Sequence, residues 1–306
     1  MRDTFIAKLS EHAELDPNIY LITGDLGFKV LDDFQEKFPK QFLNVGVAEQ
    51  NMTGIATGLA MSGRTVFTYS IANFVSLRCL EQIRNDALYH EANVNFVCIG
   101  GGFSYGSLGM SHHATEDIGI LRTFPNLDIV VPCSLWEASQ ATSALATSAK
   151  SSYLRIDKSH VEEDPSDTFT LGKARILRAG TDITIIGAGG ILAEALIAAE
   201  ELEKTRISVR VVSMHTIKPL DTETIFNAAT ETGGIISLEE HTVAAGLGSA
   251  IAETLLEAGV IPKVFHRIGL RDGFSSIVGS QFYLRKRYKM DSTAIIATIK
   301  EKLDQK

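Results

Sequence analysis

Short apolar, β-branched runs alternate with helical patterns along the whole chain, and no other feature constrains the fold as strongly. NIYLITGD, FLNVGVA, RTVFTYS, NVNFVCIG, LDIVVPCS and SSYLRI contain few alternating polar positions, which marks strands buried on both faces. Helical patterns lie between them, for example Phe74 to His90 and Leu135 to Lys150. The alternation predicts an α/β fold with a mostly parallel sheet flanked by helices. After SSYLRIDKS comes the polar, acidic stretch HVEEDPSDTFTLG, interrupted by Pro165, the best linker candidate. The strand pattern then restarts with DITIIGAGG, ISVRVVSM, GGIISLEEH and KVFHRIGL, and Asp291 or Ser292 is placed to cap a last helix. Two α/β domains are expected, 1–157 and 173–306, joined by a linker over 158–172.

Bulk properties narrow the function. A net charge of −8 argues against a nucleic-acid backbone or an anionic membrane as the main partner. Cys79, Cys98 and Cys133 are far apart in sequence and match neither a disulfide framework nor a zinc spacing, so buried, reduced thiols are expected. The opening MRDTFIAKLSEHAELD reads as an amphipathic helix with Phe5, Ile6, Leu9 and Ala13 on one side, not as a signal peptide. The uncharged segment from Ala92 to Ser111 is broken by Gly100-Gly101-Gly102 and reads as a strand and loop instead of a membrane helix. A soluble cytoplasmic protein is the expectation.

The stretch NVGVAEQNMTGIATGLAM holds the main chemical candidate. Glu49 stands where an apolar run meets a helix, and a carboxylate there is served by the helix dipole alone. Yet Val45, Gly46, Val47 and Ala48 suggest burial, which is costly for a carboxylate unless it is paired or has a proton to exchange. Gly54, Ala56, Gly58 and Ala60 leave little bulk on the helix, so another element can pack close to it. A subunit-interface site is the reading.

Other clusters are less specific alone. TYSIANFVSLRCLEQIRND supplies Tyr69, Phe74 and Arg78, and GGGFSYGSLGMSHHATED supplies His112 and His113. The aromatics could be ordinary core, and the histidine pair lacks a third metal ligand at a recognised spacing. GAGG at 187–190 follows a strand, but Leu192 stands where a dinucleotide fingerprint has its third glycine, and no acidic residue ends the next strand. A tight strand-to-helix turn accounts for those glycines.

In order, AEQNM, YSIANF…R…EQIR, GSLGMSHHATEDIGILRTFPN and YLR resemble the pyrimidine-binding half of transketolase. LEEH…GLGSA and GLRDGF resemble its C-terminal domain. The resemblance spans essentially the whole chain. The Gly-Asp-Gly motif that holds Mg²⁺ and the diphosphate of thiamin diphosphate in the family is missing, since Gly24-Asp25-Leu26 lies elsewhere in the pattern. The chain is therefore similar to the C-terminal subunit of a split transketolase. That resemblance implies thiamin diphosphate as cofactor and a partner chain that binds the diphosphate and Mg²⁺. It also implies self-association within a heterotetramer.

The resemblance further implies roles for single residues. Glu49 would hydrogen-bond N1′ of the cofactor's aminopyrimidine, whose amino nitrogen then takes a proton from the thiazolium. Phe74, with Tyr69, would pack on that ring. Arg78 matches a common arginine, and Asp25 falls near the interface site. His112 would reach the sugar substrate's carbonyl and hydroxyls, and Arg155 would meet its phosphate. Two departures stand out. Leu108 replaces an aspartate that contacts a donor hydroxyl, and Gly100 replaces a second substrate histidine. Two hydroxyl-reading groups are gone, so the expected donor is a modified sugar or a simpler 2-oxo acid, not xylulose 5-phosphate. The beta chain of a 2-oxo-acid dehydrogenase decarboxylating component and a non-catalytic relative remain alternatives.

Overall fold

The computed structural model describes residues 1–162 and 168–304. Pro165, at the centre of the expected linker, lies outside the described residues. The first sheet contains β1 (Ile19–Thr23), β2 (Phe42–Asn44), β3 (Thr65–Ile71), β4 (Val94–Ile99), β5 (Leu127–Val130) and β6 (Ser151–Ile156). The second contains β7 (Arg175–Arg178), β8 (Ile183–Gly187), β9 (Val209–Ser213), β11 (Ile235–Thr242) and β12 (Phe265–Leu270). The short β10 (Thr216–Lys218) completes the set. Every predicted run forms a strand, and helices flank both sheets.

The seven-stranded sheet has the order β10-β5-β6-β4-β3-β1-β2, and the five-stranded sheet β12-β11-β8-β9-β7. All pairings are parallel except β10 with β5 and β7 with β9. The sequence pattern does not reveal β10, which leaves the second half of the chain and pairs with β5 of the first sheet. Without it β5 would present a bare edge. Just before β10, Val131 N–H donates to the His215 carbonyl at 2.7 Å, which extends the join.

Two expectations on secondary structure need correction. The apolar run at β2 predicts burial on both faces, but Leu43 is 39 % exposed, because β2 is the outer strand and none of the described residues covers that side chain fully. The stretch from Phe74 to His90 is not one helix. It divides into Ala72–Ser76, Leu80–Gln82 and a π-helical segment Ile83–Leu88, a wide turn often found near functional sites. The helix Arg2–Leu15 buries Phe5, Ile6, Leu9 and Ala13 as its spacing predicts. Asp291 Oδ1 accepts from Ala294 N–H at the start of Ser292–Asp304. All three cysteines are buried, and none of them forms a disulfide among the described residues. No described helix is long and apolar enough to cross a membrane.

Candidate active site

The strand order reverses between β1 and β3, since β2 lies outside β1 and β3 on its other side. Ligands of open parallel sheets gather beyond the carboxyl ends of strands at such a reversal. The candidate residues collect there. Asp25 follows β1, Glu49 follows β2, Phe74 and Arg78 follow β3, and His112 sits on the long loop after β4.

Glu49 opens the helix Glu49–Met61 and is 2 % exposed. Arg78 Nη1 donates to its Oε2 at 2.8 Å. The guanidinium is half exposed and also lies over the Phe74 ring, 4.4 Å from its centroid. No donor among the described residues reaches Oε1 of Glu49. The carboxylate is therefore fixed on one oxygen and available on the other. Asp25 is exposed and sits at φ +57°. Its N–H donates to Asn44 Oδ1 at 3.0 Å, while Asn44 Nδ2 donates to Asp25 Oδ1 at 3.1 Å. This clasp ties the loops after β1 and β2 together and steadies the approach to Glu49.

His112 meets the edge of Phe74 with ring centroids 5.2 Å apart and lies 6.4 Å from Tyr105. Burial, with His113 beside it, lowers its pKa below the ordinary imidazole value. Gly100 explains one of the sequence departures. It sits at φ +88°, and a Cβ there would lie 2.2 Å from the Tyr105 ring. A histidine cannot occupy this position unless Tyr105 moves. Leu108 is 55 % exposed.

Two residues are not where the sequence placed them. Tyr69 is 2 % exposed and stacks on Phe5 beneath the N-terminal helix, with centroids 6.3 Å apart. It shares that face of β3 with Phe67 and cannot also pack on a ligand beside Phe74. Arg155 is 3 % exposed, and its bonds all run to the protein. Nε donates to Asp117 Oδ2 at 2.8 Å, and Nη2 donates to the carbonyls of Ala114 and Glu240. Gly101 permits this approach, since a Cβ there would come within 2.6 Å of Nε. A substrate phosphate has no access to it. The nearby exposed cation is Lys158, whose Nζ lies 4.2 Å from the Tyr105 ring centroid. Sequence reading passes it over because one lysine after a strand carries no pattern. The GAGG turn is structural, as expected: a Cβ on Gly190 would meet the Ser159 carbonyl oxygen at 2.1 Å.

A cleft of about 590 Å³ opens beside Phe74 and Arg78, walled also by Asn73, His113, Thr115 and Phe274. Around the carboxyl edge the apolar side chains Phe28, Val47 and Met110 are largely exposed. The helix after Glu49 leaves Gln50, Gly54, Gly58 and Met61 open along one stripe. The cleft thus has an uncovered apolar margin.

The chain belongs to the transketolase family: the transketolase pyrimidine-binding domain matches residues 1–163, and the transketolase C-terminal domain matches residues 172–295. Among its relatives it is 38 % identical to an apulose-4-phosphate transketolase subunit of Phocaeicola vulgatus, over 98 % of this chain and 96 % of the relative. It is 34 % identical to a 6-deoxy-6-sulfo-D-fructose transketolase subunit of a Clostridium species, over 100 % and 95 % of the two chains. Among solved structures it matches a split gene transketolase described as an inactive beta4 tetramer. The TM-score is 0.88 at 33 % identity, covering 99 % of this chain and 97 % of that one.

Proposed function

We propose that this chain is one subunit of a two-chain transketolase that uses thiamin diphosphate to move a two-carbon ketol unit between sugar-type substrates. The observation that carries the proposal is Glu49, buried at a helix start with Oε2 held by Arg78 and Oε1 left without a protein donor. A buried carboxylate with one free oxygen fits a ring nitrogen that must share a proton. Thiamin diphosphate supplies, when bound, a nucleophilic carbon able to accept and release the two-carbon unit. Glu49 holds the proton at N1′ of the aminopyrimidine, Arg78 fixes the carboxylate, and Phe74 offers a flat apolar wall to the ring. His112 addresses the donor sugar. The diphosphate and Mg²⁺ belong to a partner chain, and the open stripe after Glu49 serves self-association within a heterotetramer. We place the domain boundary at 157 and the start of the second domain at 173.

Tyr105 filling the space beside Gly100, together with Leu108, supports a modified-sugar donor, as do relatives named for apulose 4-phosphate and a sulfofructose. The same relatives favour the transketolase reading over a 2-oxo-acid dehydrogenase.

Calorimetry of thiamin diphosphate with Mg²⁺ tests the split site. Negligible binding by this chain alone and tight binding once the partner is added is the expected result. Tight binding by the isolated chain would refute it. The pH profile tests His112. Its lowered pKa keeps the imidazole neutral further into acid. The acid limb of kcat/KM should therefore fall below the ordinary value of about 6.5, and His112→Gln should remove that limb. An unchanged limb in the variant assigns it to another group.

A further inference from the structure

We propose that Gln281, in the second domain, is a positioning residue for His112 and thereby sets how the donor is held. The loop that carries His112 leaves β4 after Ile99 and closes on itself where Gly102 pairs with Ala114. Its far end is held by the first domain, where Asn73 Nδ2 donates to the carbonyls of Ser111 at 3.2 Å and His113 at 2.7 Å. The second domain grips the near end. Phe103 N–H donates to Glu240 Oε1 at 2.5 Å, and Gly279 N–H donates to the Gly106 carbonyl at 3.2 Å. Between them, Ser104 Oγ donates to Asp157 Oδ1 at 2.6 Å. Gly102 permits the approach of Glu240: it sits at φ +58°, and a Cβ there would lie 2.5 Å from Oε1.

Gln281 ties these supports together. It opens the helix Gln281–Arg287, whose first turn is capped by the Ser280 hydroxyl, so its side chain starts from a fixed backbone. Its Nε2 donates to Asp157 Oδ1 at 2.8 Å and to Glu240 Oε1 at 2.9 Å. Both acceptors are carboxylates, so the amide nitrogen and not its oxygen faces them. Asp157 and Glu240 are 7 % and 2 % exposed, and buried carboxylates this close repel unless donors lie between them. Among the described residues, Gln281 is the one donor shared by the two oxygens that hold Phe103 and Ser104. The grip reaches His112 through short contacts. Phe103 meets His113 edge-on with ring centroids 5.1 Å apart, and His113 Nε2 donates to the Gly106 carbonyl at 3.1 Å. Tyr105, next after Ser104, lies 6.4 Å from the His112 ring. A shift at Phe103 or Ser104 is therefore passed to the residues packed beside His112.

The inference rests on the transketolase reading, and the test separates the two. The assembled two-chain enzyme with thiamin diphosphate and Mg²⁺ is assayed with xylulose 5-phosphate, fructose 6-phosphate, 6-deoxy-6-sulfofructose and hydroxypyruvate. No turnover with any donor rejects the transketolase reading itself. With a donor accepted, Gln281→Leu should lower its kcat/KM by about tenfold, below the roughly hundredfold cost of a misplacement of about 1 Å. Cofactor affinity by calorimetry and the melting temperature should stay nearly unchanged, because Asp157 and Glu240 keep other donors. The decisive readout is a double-mutant cycle. In a His112→Gln background the same substitution should change kcat/KM by less than about twofold, since Gln281 acts through His112. A loss of equal size in both backgrounds, or no loss in either, overturns the inference, as does a loss that follows the melting temperature. Full turnover by His112→Gln alone also overturns it and leaves the transketolase reading intact. If Gln281→Leu does not assemble, Gln281→Ala, which adds no bulk beside the carboxylates, is judged by the same cycle.

Discussion

Substituting glutamine for Glu49 is expected to lower kcat of the assembled enzyme by about 10²–10⁴, the range for losing a positioned acid–base group. The amide has the shape of the carboxylate, so packing at this 2 % exposed position is preserved. Arg78 loses its partner, but its side chain is 48 % exposed and water can replace the bond. The stability cost should therefore stay near the roughly 0–1 kcal/mol typical of pairs open to solvent. Glutamine can hydrogen-bond a ring nitrogen but cannot exchange a proton with it. The expected result is thus a large fall in kcat, a smaller loss of cofactor affinity and a nearly unchanged melting temperature. Turnover close to wild type would remove Glu49 from the chemistry.

Arg155 behaves in the opposite way. Replacing it by alanine should destabilise the chain by about 3–5 kcal/mol, the cost of breaking a buried ion pair from one side. Asp117 is the reason. Its side chain is completely buried, Oδ2 accepts from Arg155 Nε at 2.8 Å and from the Tyr153 hydroxyl at 2.6 Å, and Oδ1 has no hydrogen-bond partner. With the guanidinium removed, the carboxylate keeps one neutral donor in a site that water does not reach. Burial and the nearby Asp117 push the Tyr153 hydroxyl well above the usual phenol range, so it stays neutral and offers the carboxylate only a hydrogen bond. Denaturant unfolding measures the loss. Arg155→Leu combined with Asp117→Leu should recover much of it, because no charge is then stranded. A role at a substrate phosphate predicts a raised KM with stability intact, and that outcome would reverse the assignment.

The contrast between these residues shows how far sequence reading reaches. Glu49 is legible because its neighbours are apolar and its helix is small-sided, which together indicate a buried acid near an open surface. Arg155 is not. An arginine on a strand buried on both faces looks the same whether it points to a ligand or to an internal aspartate 38 positions earlier. Tyr69 is ambiguous for a related reason. Both faces of a sheet covered by helices are apolar, so alternation shows that Phe67 and Tyr69 share a face but not which helix covers it. Lys158, Tyr105 and Asn73 carry no pattern, since their relevance depends on loops folding back from different strands.

By itself the sequence determined the α/β class, the strands of both sheets apart from β7 and β10, the two halves of the chain, and the carboxylate at the start of a small-residue helix. These follow from local periodicity and composition, which act over a few neighbouring residues. Tertiary structure decided the rest. It sends β10 across to close the first sheet, seals Arg155 against Asp117, and places Tyr69 under the first helix. Each of these depends on which distant segments meet, and the energy of a buried charge or an unpaired acceptor is fixed only when its surroundings are.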